Sequence, residues 1–283
     1  MRHVALIGAN GMLGSAFAED LRNKGIAYTP LTENEIDITD RQSLHILKDI
    51  KANFVINCAA YTAVDLAEQE KDKAFSVNGH GVENLAQAAK DYDFFLVHYS
   101  TDYIFSGSSK NGYAETDQPM PLSVYGASKL QGEQYLGSLL PEKQYLLLRT
   151  AWLYGPNGKN FVQTMLKLAD KQHIIKVVDD QFGCPTYSHD LVKWTLDLLN
   201  AGENGIYHAV NSGQCSWCEF AKKIFELAKK DVKVMNISTA EYPTPARRPQ
   251  YSILCNDKLK KALKYNVRNW QEALSDYLIS IKL

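Results

Sequence analysis

Four apolar residues, Val4-Ala5-Leu6-Ile7, run without a break into Gly8-Ala9-Asn10-Gly11-Met12-Leu13-Gly14, and a helical pattern through Phe17, Leu21 and Lys24 follows up to Gly25. A strand with no polar alternation is one covered on both faces, which is the condition of a parallel sheet packed between helices. Glycines between such a strand and a helix permit a tight turn and let backbone N–H groups at the helix start face a pyrophosphate. The spacing is GxxGxxG, and its position after a strand and before a helix is what gives it weight as a dinucleotide-binding turn. The fold this predicts is α/β, a doubly wound parallel sheet (Rossmann) with a second, smaller α/β substrate domain.

Further apolar segments continue the pattern. Ala27 to Leu31 reads as the second strand, Arg41 to Ile50 as a helix, and Phe54-Val55-Ile56-Asn57 as the next strand. That strand delivers Cys58-Ala59-Ala60-Tyr61-Thr62 at the sheet edge where ligands bind in open α/β folds. A helix from Ala74 to Lys90 leads to the strand Phe94 to Tyr99, which ends in Ser100-Thr101-Asp102-Tyr103. The polar stretch from Ser106 to Pro121 is long enough for a functional loop. Residues 1–150, with 185–211 returning to the sheet, form the expected dinucleotide-binding domain; 151–184 and 212–283 form the smaller one. The usual ribose-reading acid falls near Glu33 or Asp37, and no arginine stands there to take a 2′-phosphate, so NADH and NADPH both remain open.

Tyr125-Gly126-Ala127-Ser128-Lys129 places a phenol and an ammonium four residues apart, on one helix face. A phenol with a pKa of ~10 needs help to move a proton at neutral pH, and a nearby cation is the simplest help. By itself the pair is commonplace. Together with a cofactor turn and the hydroxyl of Thr101 it becomes a candidate for proton transfer to a carbonyl undergoing reduction.

The chain has 283 residues and a net charge of −1, with Lys and Arg scattered, which leaves no electrostatic footprint for nucleic acid or a membrane surface. No stretch approaches the ~18 apolar residues of a membrane span, the start is too short for a signal peptide, and a cytoplasmic protein is expected. Five cysteines, an odd number, point to free thiols. Cys215-Ser216-Trp217-Cys218 reads as a helix start capped by Ser216 and Glu219 rather than as a metal or redox motif. His80 and His98 read as structural, and Asp179-Asp180 as a solvated turn.

These motifs resemble the extended branch of the short-chain dehydrogenase/reductases, and within it the dTDP-4-dehydrorhamnose reductases. The resemblance rests on the glycine motif, Thr101, Tyr125/Lys129, and five stretches in order: Asn57 to Asp65, Ser100 to Phe105, Arg149 to Gly155, Asp180 to Thr186 and Arg248 to Ser252. It implies NAD(P)H-dependent reduction of the C4 ketone of a nucleotide-linked 6-deoxyhexose by a monomer or homodimer. Gly8, Gly11, Met12, Leu13, Gly14, Asp37, Ile38, Ala60, Tyr61, Thr62 and Tyr99 are then expected to line the cofactor. Thr101, Asp102, Tyr103, Tyr125 and Trp152 are expected to meet the sugar, with Lys129 bridging the tyrosine and the nicotinamide ribose. For Trp152, packing in the core is the alternative. Arg248 is a candidate for the substrate diphosphate, against a solvated arginine pair with Arg247. Some members of the family dimerise through Mg²⁺ held by glutamates; the corresponding places here hold Ala16 and His189. Alanine offers no oxygen to a hard cation, so Mg²⁺ is not expected. An epimerase or dehydratase with the same Tyr/Lys pair, and a non-catalytic regulatory subunit on the same fold, are the competing expectations.

Overall fold

The structure, a computed structural model, describes residues 3–282; Met1, Arg2 and Leu283 lie outside it. The chain opens with β1 (Val4–Ile7), α1 (Met12–Asn23), β2 (Tyr28–Leu31), α2 (Ile46–Ile50) and β3 (Phe54–Asn57). There follow α3 (Lys71–Phe75), α4 (Gly81–Tyr92), β4 (Phe95–Thr101), α5 (Val124–Leu139) and β5 (Tyr145–Thr150). Next come β6 (Leu153–Tyr154), α6 (Phe161–Ala169), β7 (Ile174–Val178), β8 (Phe182–Gly183), β9 (Thr186–Tyr187) and α7 (Ser188–Asn200). The last elements are β10 (Gly205–His208), β11 (Cys215–Ser216), α8 (Trp217–Leu227), β12 (Lys233–Ile237), α9 (Asp257–Leu263) and α10 (Trp270–Ser280).

Six parallel strands form one sheet in the order β10-β5-β4-β3-β1-β2. The period-two side-chain alternation of β1 sends Val4 and Leu6 into one core and Ala5 and Ile7 into the other. On the first face they meet Leu13, Phe17 and Leu21 of α1 and Leu191, Trp194 and Leu198 of α7. On the second they meet Leu47 of α2, Leu85 of α4 and Leu136 of α5. Two covered faces explain why the strands read as unbroken apolar runs. The chain order reverses between β1 and β3, which makes their C-terminal ends the topological switch point where this architecture binds ligands.

A separate core joins Tyr154, Met165, Ile175, Phe220, Leu274 and Tyr277 beneath α6, α8 and α10, with short strand pairs at its edges. Within 212–283, Leu259 and Val267 instead pack in the core below the large sheet, so the chain crosses back to it once more near its end.

Two helices differ from expectation. The segment from Arg41 is a 3₁₀ turn (Ser43–His45) and a short α2 that stops at Lys51 in the left-handed conformation, φ 51°. The helix expected over 74–90 is broken into α3, a π-helical turn at Ser76–His80, and α4. The wide turn carries buried Asn78, whose amide bonds both backbone groups of Tyr61 and the Ser128 hydroxyl. Satisfying three tertiary partners outweighs keeping a regular helix there. The helix start at Ser216 does carry the reciprocal Ser216/Glu219 capping box, and all five cysteines are free thiols.

Candidate active site

A cleft of about 450 Å³ opens at the switch point, walled by Gly8, Asn10 and Gly11, by Thr32, Glu33 and Ile36 to Thr39, and by Cys58 to Tyr61. Gly8 sits at φ +73°, a region that other residues rarely adopt, and a Cβ on Gly14 would stand 2.0 Å from the Gly8 carbonyl oxygen. Helix α1 begins just after Gly11, which lines the cleft, and no side chain caps it, so its first-turn N–H groups are left without a side-chain partner. Such a cradle suits the diphosphate of a dinucleotide.

Of the residues nominated for the cofactor, Gly8, Gly11, Asp37, Ile38, Ala60 and Tyr61 line this cleft. Thr62 is exposed beside it. Met12 lies under the loop at Gly155 and Gly158. Leu13 and Tyr99 do not present side chains to it: Leu13 is core, and the Tyr99 phenol is buried on Thr195 at 3.0 Å. One oxygen of Asp37, Oδ1, accepts from the Thr39 N–H and hydroxyl at 2.9 and 2.8 Å. Lys73, which the sequence did not single out, adds a cation to the wall.

The phenol of Tyr125 stands in the first turn of α5, started by Ser123, whose hydroxyl accepts from the Gly126 N–H at 3.2 Å. Glu68 accepts from the Val124 N–H at 2.8 Å and ties the same turn to the segment after β3. At the end of β4, Thr101 donates to Asp102 at 2.9 Å and accepts from the Tyr103 N–H at 3.2 Å. The ring of Tyr103 meets Tyr125 edge-on at 5.7 Å. Thr101, Asp102, Tyr103 and Tyr125 thus form one cluster.

Burial pushes the Tyr125 phenol up to about 12, against the pull of the Thr101 hydroxyl and with the help of the Asp102 charge. The same cause raises Asp102 to about 6 and lowers Lys129 to about 8, with Glu133 opposing the latter. The expectation that Lys129 holds the phenol's pKa down is not met. Its Nζ donates to the Tyr99 carbonyl at 2.5 Å and lies 3.4 Å from His98 Nε2, so the helix face carries it toward β4 and desolvation governs the phenol.

Trp152 follows β5 with φ +46°, a strained conformation for a bulky residue. Its half-buried indole stacks on Trp217 at 3.4 Å and lies over Gly183, where a Cβ would come within 2.4 Å. Arg248 is not free for a diphosphate: it closes a two-pronged ion pair on Asp65 at 2.9 and 2.8 Å, while Arg247 is exposed. Asn78, which fastens Tyr61 to Ser128 of α5, is a positioning residue that no sequence motif marks. No group of three or more His, Cys, Asp or Glu suited to a metal occurs among the described residues; Ala16 is buried and His189 lies 3.8 Å from Glu19. None of the described helices is long and apolar enough to cross a membrane.

Comparison with known proteins gives a consistent set of likenesses. The family model described as "RmlD substrate binding domain" matches residues 1–282. The dTDP-4-dehydrorhamnose reductase of Aggregatibacter actinomycetemcomitans is 41% identical over 290 residues, covering 98% of each chain. The spore coat polysaccharide biosynthesis protein SpsK of Bacillus subtilis is 39% identical over 98% of this chain and 97% of its own. Among solved structures, the dTDP-4-dehydrorhamnose reductase of Bacillus anthracis in complex with NADP superposes with a TM-score of 0.95 at 40% identity, covering 99% of this chain and 100% of that one.

Proposed function

Because this chain belongs to the RmlD substrate binding domain family, we propose that it reduces the C4 ketone of dTDP-4-dehydro-6-deoxy-L-mannose to give dTDP-L-rhamnose, using NADPH. The observation that carries the reading is the Thr101/Asp102/Tyr103/Tyr125 cluster at the end of β4, beside a cleft built around the glycine turn.

Gly8, Gly11 and Gly14 with the first-turn amides of Met12 and Leu13 would hold the diphosphate of the dinucleotide, and Ile38, Ala60, Tyr61 and Thr62 its nucleosides. Bound there, the nicotinamide supplies the hydride for C4. Tyr125 donates the proton that the carbonyl oxygen takes up, and Thr101 hydrogen-bonds the same oxygen. Burial keeps the proton on the phenol at neutral pH but makes it a weaker acid, so the transfer relies on donors aimed at the developing alkoxide, which stabilise charge that grows in the transition state. Lys129 stands one turn along as the group that returns a proton to Tyr125. Tyr103, Asp102 and Trp152 shape the sugar side, and Arg248 acts through Asp65 by holding the segment around Ala246 against that side. In this reading residues 1–150 and 185–211 serve the cofactor, while 151–184 and 212–283 serve the sugar, in a cytoplasmic monomer or homodimer.

The test is to supply dTDP-6-deoxy-L-lyxo-4-hexulose with NADPH, follow the loss of nicotinamide absorbance, and determine the C4 configuration of the product. Stoichiometric oxidation of NADPH with formation of the L-rhamnose configuration is expected. No oxidation, or the opposite configuration at C4, overturns the reading.

A further inference from the structure

We propose that Asn57 and His98 form a positioning device for Lys129, presenting an imidazole Nε2–H to the lysine nitrogen and so setting the pH at which that lysine releases its proton. The proposal deepens the reductase reading and rests on it, since the proton of Lys129 matters only if Tyr125 needs one returned.

Asn57 and His98 are direct partners in the parallel pairing of β3 with β4, and both are buried. The Asn57 Oδ1 accepts from the Ala59 N–H at 3.1 Å. A backbone N–H only donates, so this contact fixes which end of the amide is oxygen. The Nδ2 end then faces His98 Nδ1 at 3.1 Å, and that nitrogen must accept. A neutral imidazole has one acceptor and one donor, which puts the ring proton on Nε2. Burial keeps the ring neutral.

The Nε2 lies 3.4 Å from Lys129 Nζ. Against an ammonium this is donor facing donor. Against an amine it is a hydrogen bond into the lone pair, and the amine still donates an N–H to the Tyr99 carbonyl at 2.5 Å. The imidazole therefore favours the neutral lysine, in opposition to the carbonyl, to which an ammonium donates more strongly. Few other groups bear on it: Tyr125 and Glu133 lie one turn away on α5, and just past β3 the Cys58 thiol is kept protonated by burial. The Glu133 carboxylate is itself held by Arg149 of β5 at 2.8 Å. Lys129 thus becomes a group that exchanges its proton close to neutral pH, as a relay behind Tyr125 requires.

Two experiments decide the matter. In the wild-type protein, nitrogen-15 NMR of the His98 ring is expected to show the proton on Nε2; a ring protonated on Nδ1 overturns the proposal, whatever the protein's activity. In the enzyme assay, Asn57→Asp offers Nδ1 an acceptor, reverses the tautomer and turns Nε2 into an acceptor for the ammonium. The alkaline limb of kcat is expected to move up by about one pH unit or more. Adding the same substitution to His98→Phe controls for the new charge, and most of the shift is expected to vanish. An unmoved limb in the single variant, or an equal shift without the imidazole, overturns the device. Absence of NADPH oxidation by the wild type would count against the reductase reading instead, with the NMR result still deciding the tautomer.

Discussion

Gly126 lies so close under the carbonyl of Tyr103 that a Cβ placed on it would stand 2.2 Å from that oxygen. Helix α5 is thereby seated on the turn after β4, and the seat sets the edge-on contact of Tyr103 with Tyr125. Gly126→Ala must lift the first turn of α5 off that carbonyl, at about 1–3 kcal/mol of stability. Turnover should fall tenfold or more while NADPH affinity changes little, because the cleft walls are on other elements. Gly137→Ala is the control in the same helix: its Cβ meets only the Tyr145 hydroxyl at 3.9 Å. It should stabilise by about 0.5–1 kcal/mol and leave activity alone. Denaturant unfolding and steady-state kinetics on both variants check the pair.

Tyr125→Phe removes the proposed proton donor and leaves the ring against Tyr103. A loss of about 10²–10⁴-fold in kcat is expected, the ordinary scale for a positioned acid. NADPH binding followed by fluorescence titration should stay near the wild-type value. A Tyr125→Phe variant of near-normal rate would show that another group delivers the proton.

The pair Arg248–Asp65 joins segments 183 residues apart and is completed by Asp65 accepting from the Ala246 N–H at 3.2 Å. The Arg248 hydrogen bond holds the Asp65 carboxyl below its usual range. That stability is therefore present above the ordinary carboxylate pKa and fades as pH falls through the lowered one. Both side chains are partly exposed, so Asp65→Asn should cost no more than about 1 kcal/mol. The larger effect is expected in KM, which rises as the strap loosens over the sugar side, with kcat nearly unchanged. A double-mutant cycle with Arg248→Ala should show strong coupling in KM; additive effects would mean the two side chains act separately.

Much of this architecture is written locally. The run from Val4 to Ile7 announces a doubly covered strand, and the spacing of Gly8, Gly11 and Gly14 announces the turn, because both depend on neighbours in the chain. The common helix face of Tyr125 and Lys129 is equally local, yet their interaction is not. Lys129 answers to Tyr99 and His98, which reach it only through the packing of α5 on β4. In sequence Arg248 reads either as a candidate for a diphosphate or as half of a solvated arginine pair, because nothing near it reveals Asp65. The left-handed backbone of Trp152 and the π-turn at Asn78 are likewise imposed by distant partners, Trp217 and Gly183 for one, Tyr61 and Ser128 for the other.

Asp102 offers a test of how much the site costs the fold. Its carboxyl is buried, and burial raises it from an ordinary 3.8 to about 6. A raised acid pKa means the folded state binds the proton more tightly than the unfolded chain does. The associated stability is complete below the unfolded pKa and is lost as pH rises through the folded value, so at pH 7 and above the ionised group is a burden of about 3 kcal/mol. Asp102→Asn keeps an oxygen for the Thr101 hydroxyl and removes the ionisation. The variant should therefore melt higher than wild type at pH 8, with the difference shrinking as pH falls from 6 to 4. Turnover should drop at the same time, since Asp102 is proposed to shape the sugar side. Thermal unfolding across pH 4–8 checks the first expectation and kinetics the second; a stability difference that does not depend on pH would mean that Asp102 is not the group whose ionisation opposes folding.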